Sequence, residues 1–228
     1  MRDKLEAVFE KIEDALDLEH VEEVEKLHLD SMHYEKVSRI PLSISYPADQ
    51  EFQSFTYAEA FHDPEKMLYN ELVSIGCNVW NSVRIKDDYP LQIRPNYGIG
   101  VIPSLFGAEI KVKDDIMPWV VPLNGEEAFR KAISHGVPDV NGGLAGKVKE
   151  AYEIYREWLH RYPKCERAIH LTQPDMQGPF DNVDLMRGME IFYDLYDEPE
   201  MVHEALNVVT DTMIAYQKSL PVLNDRAG

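Results

Sequence analysis

Residues 167–183 read Arg-Ala-Ile-His-Leu-Thr-Gln-Pro-Asp-Met-Gln-Gly-Pro-Phe-Asp-Asn-Val, and this stretch decides the fold. Residues 167–172 predict a short apolar strand, and the prolines and glycine at 173–179 predict a loop. Apolar residues at helical spacing then predict a helix from about 183 to 195. A strand, a loop and a helix in this order form the repeating unit of a parallel sheet with crossover helices.

Two similar units precede this stretch. Predicted strands at 40–46 and 91–95 are each followed by a loop and then by apolar residues at helical spacing. The predicted helices after the N-terminal region are 63–83, 124–134, 146–162, 183–195 and 197–220. Capping boxes are predicted at Asn124 and Asp197. Three strands cannot close a barrel, so we expect the domain to be incomplete here, with its C-terminal part missing after Leu220.

The first 36 residues predict a separate helical region. Apolar residues recur at helical spacing through Leu5, Val8, Phe9, Ile12 and Leu16, and a second amphipathic helix begins near Val21. We therefore divide the chain into a helical N-terminal extension, residues 1–36, and an α/β domain, residues 37–228.

The composition limits the classes of partner. The chain has 228 residues, 44% of them hydrophobic, and carries 41 acidic against 23 basic residues, a net charge of −18. Such a field repels phosphate backbones and anionic membranes, so we expect no nucleic-acid and no membrane partner. Two cysteines make no disulfide framework and no Cys/His metal spacing. With neither a signal peptide nor a long apolar segment, the sequence predicts a cytoplasmic protein.

Three motifs are better explained by structure than by function. Gly142 to Lys147 lacks both the spacing and the hydroxyl residue of a phosphate loop, and we interpret it as the turn that starts a helix. Gly98-Ile-Gly100 lacks the third glycine of a dinucleotide fingerprint. Tyr152, Tyr155 and Trp158 lie at helical spacing, which indicates packing in the core.

The candidate site residues follow the predicted strands. Carboxyl ends of parallel strands meet at one edge, so the loops after them predict a common site. The candidate catalytic residues are Asp175 and His170. The candidate substrate-binding residues are Arg94, Asn96, Tyr97, Gln177, Tyr46 and Asp49. Four of them also have a plainer explanation: His170 as a satisfied core histidine, Arg94 as a surface ion pair, and Asp175 and Gln177 as turn formers.

Longer motifs carry a resemblance to a known family. These are His170-Leu-Thr-Gln-Pro-Asp-Met-Gln-Gly-Pro-Phe-Asp, Leu185-Met-Arg-Gly, Phe192-Tyr-Asp-Leu-Tyr-Asp-Glu-Pro-Glu-Met-Val-His, Arg94-Pro-Asn-Tyr-Gly-Ile-Gly-Val-Ile-Pro and Met117-Pro-Trp-Val. Together they resemble the uroporphyrinogen decarboxylase family, in particular the divergent bacterial branch that also contains corrinoid-dependent methyltransferases. The resemblance covers roughly residues 40–220.

The resemblance implies an eight-stranded (β/α) TIM barrel, of which this chain would be the N-terminal part. True decarboxylases carry a Met-Arg-Gln-Ala-Gly-Arg segment after the first strand, whose cations hold the many carboxylates of the substrate. The corresponding residues here are Ser45-Tyr-Pro-Ala-Asp-Gln-Glu-Phe, which contain two acids and no cation. The methyltransferase relatives bind zinc through a His-x-Cys pair and a later cysteine in the second half of the barrel, and this chain contains no such pair.

The sequence therefore predicts an enzyme of this family, or an N-terminal fragment of one, acting in decarboxylation or methyl transfer related to tetrapyrroles and corrinoids. Uroporphyrinogen itself is a poor substrate for such a pocket. The alternative is a non-catalytic fragment that binds a small ligand or a partner. No cofactor is visible in these residues, while zinc, a corrinoid, a corrinoid protein and a homodimer are compatible with the family. Unpaired strand edges predict that the isolated chain associates or dissolves poorly.

Overall fold

The computed structural model describes residues 1–44 and 51–220, and for residues 82–84 it describes the backbone alone. The helices of the N-terminal half are α1 Arg2–Ala15, α2 Leu18–Met32, α3 Tyr57–His62, α4 Pro64–Ile85 and α5 Val101–Leu105. Those of the C-terminal half are α6 Gly125–Ser134, α7 Gly143–Leu159, α8 Pro163–Ala168, α9 Pro179–Arg187, α10 Ile191–Asp197 and α11 Pro199–Ser219. The strands are β1 Gln92–Ile93, β2 Glu109–Lys113, β3 Ile116–Val121 and β4 His170–Leu171.

The two predicted N-terminal helices are confirmed. Leu5, Val8, Phe9 and Ile12 of α1 are fully buried, because α1 packs against α4 and α8. Phe9 stacks on Tyr162 at a centroid distance of 4.6 Å and on Trp158 at 5.9 Å. Helix α2 packs more loosely, and Val24 is the one residue within it that is buried. Helix α1 is therefore part of the common core, whereas α2 lies at its margin.

Strands β1 and β4 form the predicted parallel pair. Gln92 lies opposite His170 and Ile93 opposite Leu171. The His170 amide donates to the Leu91 carbonyl at 2.8 Å, and the Thr172 amide donates to the Ile93 carbonyl at 2.9 Å. Both strands are shorter than predicted. The predicted strand from residue 167 begins only at His170, because residues 163–168 form α8.

The predicted strand at 40–46 is wrong for the residues that the structure describes, 40–44, which have no regular secondary structure. Ile40 and Leu42 are largely exposed, so this segment does not bury an alternating apolar face. Side-chain carboxylates hold it instead: the Leu42 amide donates to Asp88 at 2.9 Å and the Ile44 amide donates to Asp87 at 3.0 Å.

An antiparallel hairpin, β2 and β3, was not predicted. Glu109 pairs with Val121 and Lys111 with Trp119, and the register shifts between Lys111 and Lys113. The hairpin packs on the turn at 98–100. A Cβ on Gly100 would lie 2.5 Å from Ile110 Cδ1, so a larger residue there would require the Ile110 side chain to shift. Within residues 1–44 and 51–220 the fold is mainly helical α/β with one parallel strand pair, and these residues do not form a barrel.

Most predicted helices are confirmed, with corrections at their ends. The predicted helix 183–195 is two helices, α9 and α10, because the chain turns at Gly188, whose φ is +75°. The predicted capping at Asn124 is wrong, since its side chain makes no capping hydrogen bond. The predicted cap at Asp197 is also wrong, because this residue ends α10 and Glu198 precedes α11.

The remaining structural interpretations hold. Gly142 precedes α7, which begins at Gly143, three residues before the predicted start at 146, and Tyr152, Tyr155 and Trp158 are buried in the core. In the described part of the chain, no helix combines the length and apolarity needed to cross a membrane.

Candidate functional site

The carboxyl ends of β1 and β4 bring two predicted site residues together. Arg94 directly follows β1, and Asp175 lies in the loop after β4. Parallel pairing places both ends at the same edge, and Arg94 Nη2 lies 3.6 Å from Asp175 Oδ2. Both side chains are partly exposed, at 37% and 29%, so a ligand can reach them.

The loop 173–178 is shaped by its own polar side chains. Asp175 Oδ1 accepts a hydrogen bond from Gln177 Nε2 at 2.7 Å and from the Gln177 amide at 3.3 Å. Gln177 has a positive φ of 53°, and Asn182 Nδ2 donates to the Met176 carbonyl at 2.8 Å. One oxygen of Asp175 thus fixes the loop, while the other faces Arg94.

Glu71 supports the neighbouring loop and was missed by the sequence analysis. Its carboxylate accepts from the Arg94 amide at 3.1 Å and from Asn96 Nδ2 at 3.3 Å. Burial raises the pKa of Glu71, although both hydrogen bonds and the charge of Arg94 oppose the increase. The helical pattern could have identified Glu71. It lies four residues after Met67 and four before Ile75, on the apolar side of α4.

Asn96 and Tyr97 lie below the surface of this edge. The Asn96 amide contacts Met67 Sδ at 3.0 Å, and Asn96 Oδ1 is buried without a hydrogen-bond partner. Tyr97 is only 3% exposed and packs edge-on against Phe61 at 5.4 Å. Burial raises the pKa of Tyr97 to about 12, so its phenol is neutral near neutral pH. Tyr97 therefore supports the loop from beneath.

His170 contacts helix α2. It opens β4, whereas Asp175 follows the strand, and its Nε2 lies 2.7 Å from Glu25 Oε1 on α2. This side of the strands borders a cavity of about 360 Å³ under α2, which His20 and His28 also line. Their Nε2 atoms lie 2.9 Å and 2.7 Å from the backbone carbonyls of Asp87 and Asp88. Tyr46 and Asp49, the other two predicted residues, lie outside the described residues.

Metal ligation finds no support among the described residues, where no three His, Cys, Asp or Glu side chains converge on one point. Cys77 and Cys165 are both buried. Burial and the neighbouring Glu13 strongly raise the pKa of Cys165, which disfavours the thiolate that zinc requires. The residues present in this part of the chain thus do not fit zinc.

Comparison with known proteins adds one finding. No family model and no curated protein sequence matches this chain. A solved structure of a methyltransferase from Methanosarcina mazei is similar to it, with a TM-score of 0.60 and 19% sequence identity over 85% of this chain. The likeness covers 54% of the methyltransferase, so the chain spans about half the length of that protein. At this identity the comparison shows a shared fold alone, and it does not single out the decarboxylases.

Proposed function

We propose that this chain forms part of a methyltransferase whose substrate site lies at the carboxyl ends of β1 and β4. The observation that carries the proposal is the pairing of Arg94 with Asp175 at that edge, 3.6 Å apart. The likeness in fold to a methyltransferase supports methyl transfer as the class of reaction.

Arg94 is suited to hold one anionic group of a substrate. It is the single basic residue in segments 94–100 and 172–178. A guanidinium binds a carboxylate, sulfonate or phosphate through two parallel hydrogen bonds, and partial burial strengthens them. Asp175 orients this guanidinium in the absence of substrate. A site with one cation fits a substrate with one anionic group.

Asp175 is suited to take a proton from the methyl acceptor. In the transfer, a lone pair of the acceptor atom forms the bond to carbon, and the bond between carbon and the methyl donor breaks with its electrons on the donor. The acceptor then loses its proton, which Asp175 Oδ2 can accept while Oδ1 stays bonded to Gln177. The family resemblance favours a corrinoid, carried by a partner protein, as the other methyl carrier. No described residue is assigned to it, and no step is assigned to zinc.

A methyl-transfer assay tests the proposal. The protein from the complete reading frame that contains this chain is mixed with methylcobalamin and small thiols bearing a carboxylate, a sulfonate or no charge. Loss of the methyl–cobalt absorbance measures transfer. We expect the charged thiols to react faster, and Arg94→Gln to abolish that preference, while the control Arg2→Gln, at an exposed arginine paired with Glu6, keeps it.

Two outcomes would contradict the proposal. Equal rates for charged and uncharged thiols in the parent protein would remove Arg94 from the substrate site. Ligand binding that depends on Arg94 without any turnover would favour the non-catalytic alternative.

A further inference from the structure

Helix α10 presents its apolar stripe to solvent. Phe192, Tyr193 and Tyr196 lie at positions i, i+1 and i+4 of α10, on one side of the helix, and Met189 lies in the 3-10 turn directly before it. They are 73%, 45%, 66% and 87% exposed. We name these four residues the aromatic face. An exposed apolar patch of this kind marks an interaction surface.

The orientation of α10 is fixed by its opposite side. Ile191 is fully buried, and Asp194 is paired with Arg187 at 2.6 Å and 3.2 Å. Phe192 also contacts Phe180 edge-on at 6.1 Å. These contacts fix the orientation of α10 and leave the aromatic face exposed. Binding through it therefore costs little backbone entropy.

The charges around the aromatic face define its partner. Glu190, Asp197 and Glu200 are exposed beside it, Glu198 is exposed and paired with Arg130 at 3.0 Å, and the chain contains no lysine or arginine from 188 to 217. A second copy would bring the same acids together on a chain of net charge −18, and an anionic membrane would be repelled as well. The complementary partner carries cations around an apolar strip.

We propose that the aromatic face of α10 is a docking site for a protein whose contact surface has an apolar strip bordered by lysine and arginine. Tyrosine is enriched among the residues that dominate binding energy at interfaces. Its ring packs against apolar groups and also attracts cations over its face. The surrounding carboxylates add long-range attraction, which speeds association at low salt.

A helical peptide with leucine on one face and lysine on the other serves as the probe. Its affinity is measured by fluorescence anisotropy, and its footprint by hydrogen exchange. We expect binding that protects residues 189–200 and weakens with salt. Tyr193→Ser/Tyr196→Ser, which leaves every charge in place, should lower the affinity about tenfold or more. The control Tyr34→Ser/Tyr57→Ser removes two exposed tyrosines elsewhere and should change nothing.

Other results would overturn the proposal. Equal affinity of the Tyr193→Ser/Tyr196→Ser variant would show that net charge alone attracts the peptide. Equal binding of a leucine–glutamate peptide would remove the need for a cationic partner. A dimer in sedimentation that this variant dissolves would assign the face to a second copy, and binding to neutral phosphatidylcholine vesicles in place of the peptide would assign it to a lipid surface.

Discussion

Arg94 and Asp175 meet at the edge of a parallel strand pair, with Nη2 and Oδ2 3.6 Å apart. Each follows a strand only two residues long, so their proximity depends on the pairing of Gln92 with His170 and of Ile93 with Leu171. The ion pair is long for a hydrogen bond and partly exposed, which leaves it little intrinsic stability. An anionic ligand can therefore compete with Asp175 for the guanidinium at low cost.

Glu71 should make the stability of the protein pH-dependent. Because burial raises its pKa, the folded state holds the Glu71 proton more tightly than the unfolded state does. Its stabilising contribution is complete in acid and is lost as the pH rises through the folded pKa. Urea unfolding of Glu71→Gln should therefore show a smaller loss of stability from acid to neutral pH than the parent shows.

Two further variants test whether the pH dependence comes from Glu71 itself. Glu71→Ala removes both hydrogen-bond acceptors and should cost about 1–3 kcal/mol at neutral pH. Glu157→Gln, at an exposed site, should follow the parent at every pH. If Glu71→Gln has the same pH profile as the parent, Glu71 does not titrate in the way that its burial implies.

The contribution of Asp88 to stability should depend on pH in the direction opposite to that of Glu71. The Arg39 guanidinium donates to both of its oxygens, and this pairing holds the pKa of Asp88 below its usual range. Its contribution is present at neutral pH and is lost as the pH falls through the folded pKa. Asp88→Asn should cost about 1–3 kcal/mol at neutral pH and much less in acid, measured by denaturant unfolding. A cost that does not change with pH would contradict the ion-pair account.

The buried pair of Arg187 and Asp194 should show the cost of an unpartnered charge. Their side chains are 8% and 9% exposed. Asp194→Leu alone leaves Arg187 without its closest partner and should destabilise the protein by about 3–5 kcal/mol. Arg187→Met/Asp194→Leu removes both charges and should recover most of that loss in thermal unfolding. A double variant as unstable as the single one would show that packing, and not charge, is the cause.

The long helices could be predicted because each carries many apolar residues at one period. Helices α4 and α11 begin and end within two residues of the predicted bounds, and α7 within three. Short elements carry too few residues for a period to emerge. The strand at 40–46 was predicted from alternation alone, yet residues 40–44 are held by Asp87 and Asp88, a contact that no local pattern reveals.

The part of the candidate site that could be predicted is the set of residues in the loops after the strands. That rule led to Arg94 and Asp175 together, since parallel strands end at a common edge. It also led to His170, whose Nε2 lies 2.7 Å from Glu25 Oε1 on α2, a contact that no rule about strand ends reveals. Glu71 comes from a helix before the strands, so no rule about the loops could identify it.

A single cation in the site should exclude highly charged substrates. Uroporphyrinogen carries eight carboxylates, and segments 94–100 and 172–178 offer only Arg94. We expect no coproporphyrinogen from the complete protein incubated with uroporphyrinogen and followed by chromatography. Steady formation of coproporphyrinogen would overturn the argument from charge.

The most direct test of the account is calorimetric titration of the protein with the best charged thiol of the transfer assay. Arg94→Ala should weaken binding by about 1.5–3 kcal/mol, Arg94→Lys should weaken it less, and Arg2→Gln should leave it unchanged. Unchanged affinity of the Arg94→Ala variant would contradict the placement of the substrate site at the carboxyl ends of β1 and β4.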